Sequence, residues 1–236
     1  MLTTASSDPG LVQALLRHPR VGTSSSSSQP GIQFESGGWH RSLVQGLTSS
    51  PLFGLIELTD NNPIVCADVF SVPGPAETLL LLALGPLCRA GLLLEPPVFV
   101  TNVPCQEESL SPWLAPLGWS EGIDLHEEAH DMGSVLAGSG IAAIFEPDSL
   151  SDIDDLYDEC FGRSFFVRRS NPRDWSPEVV RGHPFAAYDI SISSDGETAL
   201  VSVRVLADAA GKCGAAQLVH AFNVMNGFEE SLGINP

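Results

Sequence analysis

Val72-Pro73-Gly74-Pro75-Ala76-Glu77-Thr78 runs straight into Leu79-Leu-Leu-Leu-Ala-Leu-Gly-Pro-Leu-Cys-Arg-Ala-Gly-Leu-Leu-Leu94. The apolar stretch Pro63 to Val72 before it reads as a buried strand, and the leucine-rich segment as a buried helix over Leu79 to Gly91. A strand–turn–helix of this kind commits the chain to an α/β or α+β fold. It also raises a chemical question. The positive end of the helix dipole at such a turn stabilises a thiolate or an oxyanion, which is why nucleophiles are held there. The apex here is Pro75, which has neither a nucleophile nor an N–H to donate.

Working outward, Leu11 to His18 has helical apolar spacing, with Asp8 and Pro9 at its start and Pro19 at its end. Residues 1–10 read as mobile, and Ser24 to Ser28 followed by Gln-Pro-Gly as a flexible linker. Further strands are expected at Val98 to Val103, Gly140 to Phe145, Val179 to Arg181, Ala187 to Ser193 and Ala199 to Leu206. Ser194-Asp195-Gly196 turns the last two into a hairpin. Gln106 to His130 reads as loop, Asp152 to Phe161 as an acidic helix capped by Ser149 and Ser151, and Gly214 to Met225 as a helix stopped by Asn226-Gly227.

Among 236 residues there are 11 Lys plus Arg against 29 Asp plus Glu, a formal net charge of −18. Nucleic acid and anionic membrane surfaces are therefore poor partners. No Lys or Arg lies between Arg89 and Arg163, where carboxylates crowd from Glu107 to Glu159; this is a solvated acidic face or a patch for a basic partner. The longest apolar run is interrupted by Gly85, Pro86 and Arg89 and is too short to span a bilayer. Five widely spaced cysteines without a Cys-x-x-Cys pair argue for a reducing compartment inside the cell, cytoplasmic or organellar, rather than a disulfide scaffold.

Five segments follow one another in an order that carries a resemblance. They are Phe53-Gly-Leu-Ile-Glu-Leu, the Val72 turn with its helix, Leu156-Tyr-Asp-Glu-Cys-Phe through Phe166-Val-Arg, Val180-Arg-Gly-His-Pro-Phe, and Asp208-Ala-Ala-Gly-Lys-Cys-Gly-Ala-Ala-Gln through Gly227-Phe-Glu-Glu-Ser-Leu-Gly233. Together they resemble N-acetyl-γ-glutamyl-phosphate reductase, a relative of aspartate-semialdehyde dehydrogenase. The resemblance implies a mixed, largely antiparallel sheet with helices on one face for residues 51–236, the substrate and oligomerisation domain. Residues 1–50 would then be a remnant of a nucleotide-binding domain plus a Ser-rich linker.

In that family, the resemblance implies, a cysteine thiolate attacks an acyl phosphate, NADPH delivers hydride and a histidine handles protons. The nucleophile position falls on Pro75, and Glu77 beside it would repel a phosphorylated substrate. Cys105, one strand on, is the candidate replacement, but adjacent carboxylates would raise its pKa. Asp8 to Val21 resembles the family's first helix without its glycines or the strand before it, so no cofactor is expected and NADP binding should be lost. Matching remnants of the cofactor segment are Asp208, Lys212 and Gly214; those of the substrate segment are Arg181, Gly182 and His183. The expected protein is an inactive relative serving as a structural subunit of an oligomer or larger complex. The first alternative is an active NADP-dependent reductase of arginine biosynthesis whose nucleotide domain comes from another chain. The second is a zinc module at His126-Glu-Glu-Ala-His130, where two histidines one helical turn apart would bind the metal.

Overall fold

The computed structural model describes residues 1–194 and 196–234. In chain order the elements are β1 (Leu2–Ser6), α1 (Pro9–Leu16), β2 (Val21–Ser26), β3 (Ile32–Ser36), β4 (Trp39–Gln45), α2 (Asn61–Cys66) and β5 (Val69–Val72). They continue with α3 (Pro75–Arg89), β6 (Val98–Thr101), α4 (Glu107–Leu110), β7 (Asp124–Glu127), β8 (Val135–Phe145), α5 (Ser151–Phe161), β9 (Val167–Arg169), β10 (Ala186–Ser194), β11 (Thr198–Asp208) and α6 (Ala215–Met225). They form two compact units. One comprises residues 1–74 and the segment from Gly214 onward, the other Pro75–Cys213.

The first unit is a five-stranded sheet in the order β2-β1-β3-β4-β5. β1 and β2 are parallel and joined by α1, a βαβ unit, while β3 is antiparallel to both β1 and β4. Two expectations are corrected here. Residues 1–10 are not mobile, because alternate apolar and small side chains let Leu2–Ser6 pair on both sides as a strand. The serine run is not a linker either, because β2 takes in Ser24 to Ser26. The strand thought missing before the first helix is thus present. Pro63 also does not start a strand: it lies in the first turn of α2, where proline needs no N–H donor, and only Val69–Val72 is extended.

Arg41 holds this unit together from inside. It is 5% exposed, and its guanidinium donates to the carbonyls of Ala67 (2.9 Å), Ile64 (3.1 Å) and Val65 (2.9 Å) at the end of α2, and to Met225 O at 2.5 Å at the end of α6. One side chain satisfies the orphan carbonyls of two helix C-termini, with Trp39 and Phe34 stacked against its cation. Asn223 plays the matching role for the last residues. Its amide donates to Glu230 O and Leu232 O, and its Oδ1 lies 2.9 Å from His18 Nε2.

The second unit is a six-stranded sheet in the order β7-β6-β8-β11-β10-β9. Its three central pairings are antiparallel and the two outer ones parallel, so the expected mixed, largely antiparallel sheet is present. Helices α3 and α5 pack on one face; Tyr157 and Phe161 of α5 meet Tyr188 of β10. The leucine-rich segment forms α3 as expected, starting at Pro75 and apolar on nearly all sides. Its approach to the sheet is set by β8: a Cβ on Gly140 would lie 2.6 Å from Leu84 Cδ2, and one on Gly138 2.9 Å from Leu79 Cβ. The hairpin β10–β11 is present, although Asp195 at its turn lies outside the described residues. Val179 to Arg181 is not a strand; Pro177–Val179 makes a single 3-10 turn, since a proline at its first position fits a helical turn and not a sheet.

Gly140→Val should force α3 off the sheet and cost about 2 kcal/mol, measurable as a lowered urea midpoint. Arg41→Met should cost about 3 kcal/mol by leaving buried carbonyls without donors, with Arg41→Lys recovering only part of the loss in thermal unfolding.

Candidate functional site

The site is built at the N-terminal end of α3 within the second unit. Pro75 opens the helix, and its carbonyl lies 3.8 Å from the Cys213 Sγ. Cys213 is buried, and burial pushes its thiol up to about 12, with Asp208 and Glu77 acting in the same direction against Lys212. Cys105 approaches from beyond β6, with its backbone N–H donating to Glu127 Oε1 at 3.1 Å. Burial, then the charges of Glu127 and Glu77, raise its thiol to about 11. Half-buried Glu77 is itself shifted upward by desolvation. Near neutral pH both thiols are protonated.

Two segments picked out by the sequence do come together. Asp208, at the end of β11, accepts from Gly182 N (2.9 Å), Ser134 Oγ (2.7 Å) and Ala210 N (2.9 Å). Burial pulls its carboxyl up, but these hydrogen bonds and one from Gly211 N outweigh it and hold the group below the usual aspartate range. A Cβ on Gly211 would sit 2.2 Å from His183 O, so only glycine lets the 208–213 loop lie against the 181–183 loop. Lys212 is fully buried, with its ammonium 5.8 Å from the Phe166 ring. Arg181 turns to Glu178 at 3.0 Å and to Met132 O, and His183 stacks on Phe185. Gly214 opens the segment leading to α6 and belongs to the first unit.

The zinc reading is corrected. His126 lies in β7, a strand, and the chain bends at His130, whose N–H donates to Glu128 O. The helical turn that would bring the two imidazoles to one ion is therefore missing, and His126 instead faces Asp124 at 3.5 Å. Among the described residues no three His, Cys, Asp or Glu side chains are grouped to hold a metal ion. Likewise, among them no helix is long and apolar enough to cross a membrane.

In the first unit the β1–α1 turn has the topology that holds a dinucleotide pyrophosphate in βαβ folds. Here the helix caps itself. Asp8 Oδ1 accepts from Gly10 N at 2.7 Å and Leu11 N at 3.3 Å, and Pro9 removes a third donor. These first-turn donors are thus satisfied by a carboxylate of the chain itself.

Comparison with known proteins agrees with the sequence resemblance. A 119-residue stretch is 33% identical to a LysW-L-2-aminoadipate/LysW-L-glutamate phosphate reductase of Picrophilus torridus, covering 48% of this chain and 34% of that protein. Over 83 residues it is 34% identical to an N-acetyl-gamma-glutamyl-phosphate reductase of Bacillus amyloliquefaciens, 35% of this chain and 24% of the relative. A longer match, 25% identical over 218 residues, relates 78% of the chain to 62% of the protein of the same name in Geobacillus thermodenitrificans. The chain is similar to acyl-phosphate reductases. It spans well under the full length of these relatives, and no family model matches it.

Sequence reasoning placed Pro75, Cys105 and Asp208 but missed Ser134 and Cys213. Cys213 stands beside Lys212 in a quoted motif; only the packing of the 208–213 loop against Pro75 shows its relevance. Asp208 gives a pH prediction. Its folded pKa is depressed, so its contribution to stability is present above the unfolded value near 4 and is lost as pH falls through the folded one. Asp208→Asn should lower stability at pH 7 and flatten the decline of the unfolding midpoint between about pH 5 and pH 3, read by denaturant titration at stepped pH.

Proposed function

We propose that the chain is a catalytically inactive member of the N-acetyl-γ-glutamyl-phosphate reductase family that serves as a structural, assembly-forming subunit. The observation that carries this reading is the head of α3, where proline stands in the nucleophile position and the nearby thiols are kept protonated by burial. The self-capped turn at Asp8 supports it from the cofactor side. The relatives' names refer to reductases, and a reductase of this kind needs both a nucleophile and a place for the cofactor's phosphates.

What remains intact is packing. α3 and α5 cover one face of the six-stranded sheet, while its other face presents Phe145, 72% exposed, and Leu200, 50% exposed. Exposed apolar side chains on a sheet face are suited to contact with a partner. A subunit that folds, buries its former reaction centre and offers a sheet face is suited to assembly.

The purified protein should show no NADPH-dependent reduction of an N-acetylated γ-glutamyl phosphate and no heat on titration with NADP(H). Pro75→Cys should stay inactive, because it restores neither the cofactor turn nor an acceptable charge at Glu77. Turnover by either protein, or saturable NADPH binding, would overturn the inactive reading. Light scattering should give a mass above that of one chain.

A further inference from the structure

The two sheets present four edges, and three of them are closed to a further strand. On β5, Ser71 N donates to Leu52 O and Gly54 N to Ser71 O, each at 3.0 Å, with Phe53 bridged to Ser71. The edge strand β7 reads Asp-Leu-His-Glu and is guarded by charge at both ends; β9 is only Val-Arg-Arg. Charges and shortness are the devices by which proteins keep edges from pairing. β2 has none of them. It is six residues long, reads Val21-Gly-Thr-Ser-Ser-Ser26, pairs with β1 alone, and carries neither charge nor proline. One register shift lies near its start; from Thr23 to Ser26 the ladder with Thr3 to Ser6 is regular.

The backbone fixes which groups are open. Ser27 N donates to Ser6 O at 2.8 Å, so Ser27 faces β1, and with the strand's period of two Ser25 and Thr23 face it as well. Ser24 and Ser26 therefore turn their N–H and C=O outward. Charge also permits an approach here. The chain is strongly acidic as a whole, yet residues 9–34 contain no Asp or Glu and carry Arg17 and Arg20.

We propose that β2 pairs antiparallel with β2 of a second copy of this chain, about a two-fold axis at Ser25. In that register Ser24 and the second copy's Ser26 exchange both backbone hydrogen bonds, and the symmetric pair does the same, giving four bonds between equivalent strands. The side chains that meet are serines and threonines, a pairing that favours adjacent strands. The arginines, just before β2, fall at opposite ends of the ladder, so no like charges face each other. A second copy fits better than a charged peptide because the edge is self-complementary and neutral along its length. A contact made mainly by one strand is small, so the dimer should be a weak one. The proposal rests on the assembly reading only for self-association, and it names an edge distinct from the Phe145 and Leu200 face.

The test is sedimentation equilibrium of the full chain up to about 100 μM, with three variants. Ser25→Glu and Ser25→Lys each place two like charges at the axis and should weaken this contact at least about tenfold. Mixed in equal amounts they should associate again as a one-to-one pair, which a folding defect in either would not allow. Ser24→Pro removes an N–H that β1 does not use and should weaken the contact similarly. Hydrogen exchange over residues 21–27 should slow with rising wild-type concentration. A wild-type monomer over the whole range overturns both the proposal and the assembly reading. An oligomer unaffected by all three variants overturns only the β2 pairing, and so does failure of the Glu and Lys variants to recover each other.

Discussion

The contact on which the second unit depends is that of α3 with β8. A helix that is apolar on nearly all sides cannot be left half in water, and the sheet accepts it closely only because Gly138 and Gly140 lack side chains. That contact fixes the depth and direction of α3 and therefore where its first turn points. The position of Pro75, the burial of Cys213 against its carbonyl and the half-buried state of Glu77 are consequences of it. The same packing holds Pro75 at the head of the helix.

Burial explains the chemistry of the surroundings better than charge does. For both Cys105 and Cys213 desolvation is the leading cause of the raised pKa, and the nearby carboxylates add to it. Lys212 acts in the opposite direction on Cys213 and is outweighed. Asp208 shows the contrast. Its burial is offset by directed N–H and O–H donors, so it stays ionised and pins the 208–213 loop to the loop at Gly182.

The sequence made the second unit legible because its elements combine strong apolar runs with clear stops. The α3 leucines, the β10–β11 hairpin and the Asn226-Gly227 terminator of α6 are of this kind. The first unit was harder to read. β1 and β2 are built from Leu, Thr, Ala and Ser, which carry little hydrophobic periodicity, and their strand identity comes from pairing with neighbours far along the chain. Local composition made β2 look like a linker. Of the site, Pro75 was visible in the sequence, but its contacts were not. That Asp208 reaches Ser134, 74 residues away, follows only from the register of β11 on β8.

Three local features stand out. Proline heads α3, burial raises the thiols of Cys105 and Cys213, and the chain's own Asp8 caps α1. Asp8 is also tied to folding, because its side chain satisfies two N–H groups that open α1, and a helix of eight residues depends strongly on such a cap. Removing that carboxylate should loosen the βαβ unit of which α1 is the crossover, so the cap is a requirement of the fold itself.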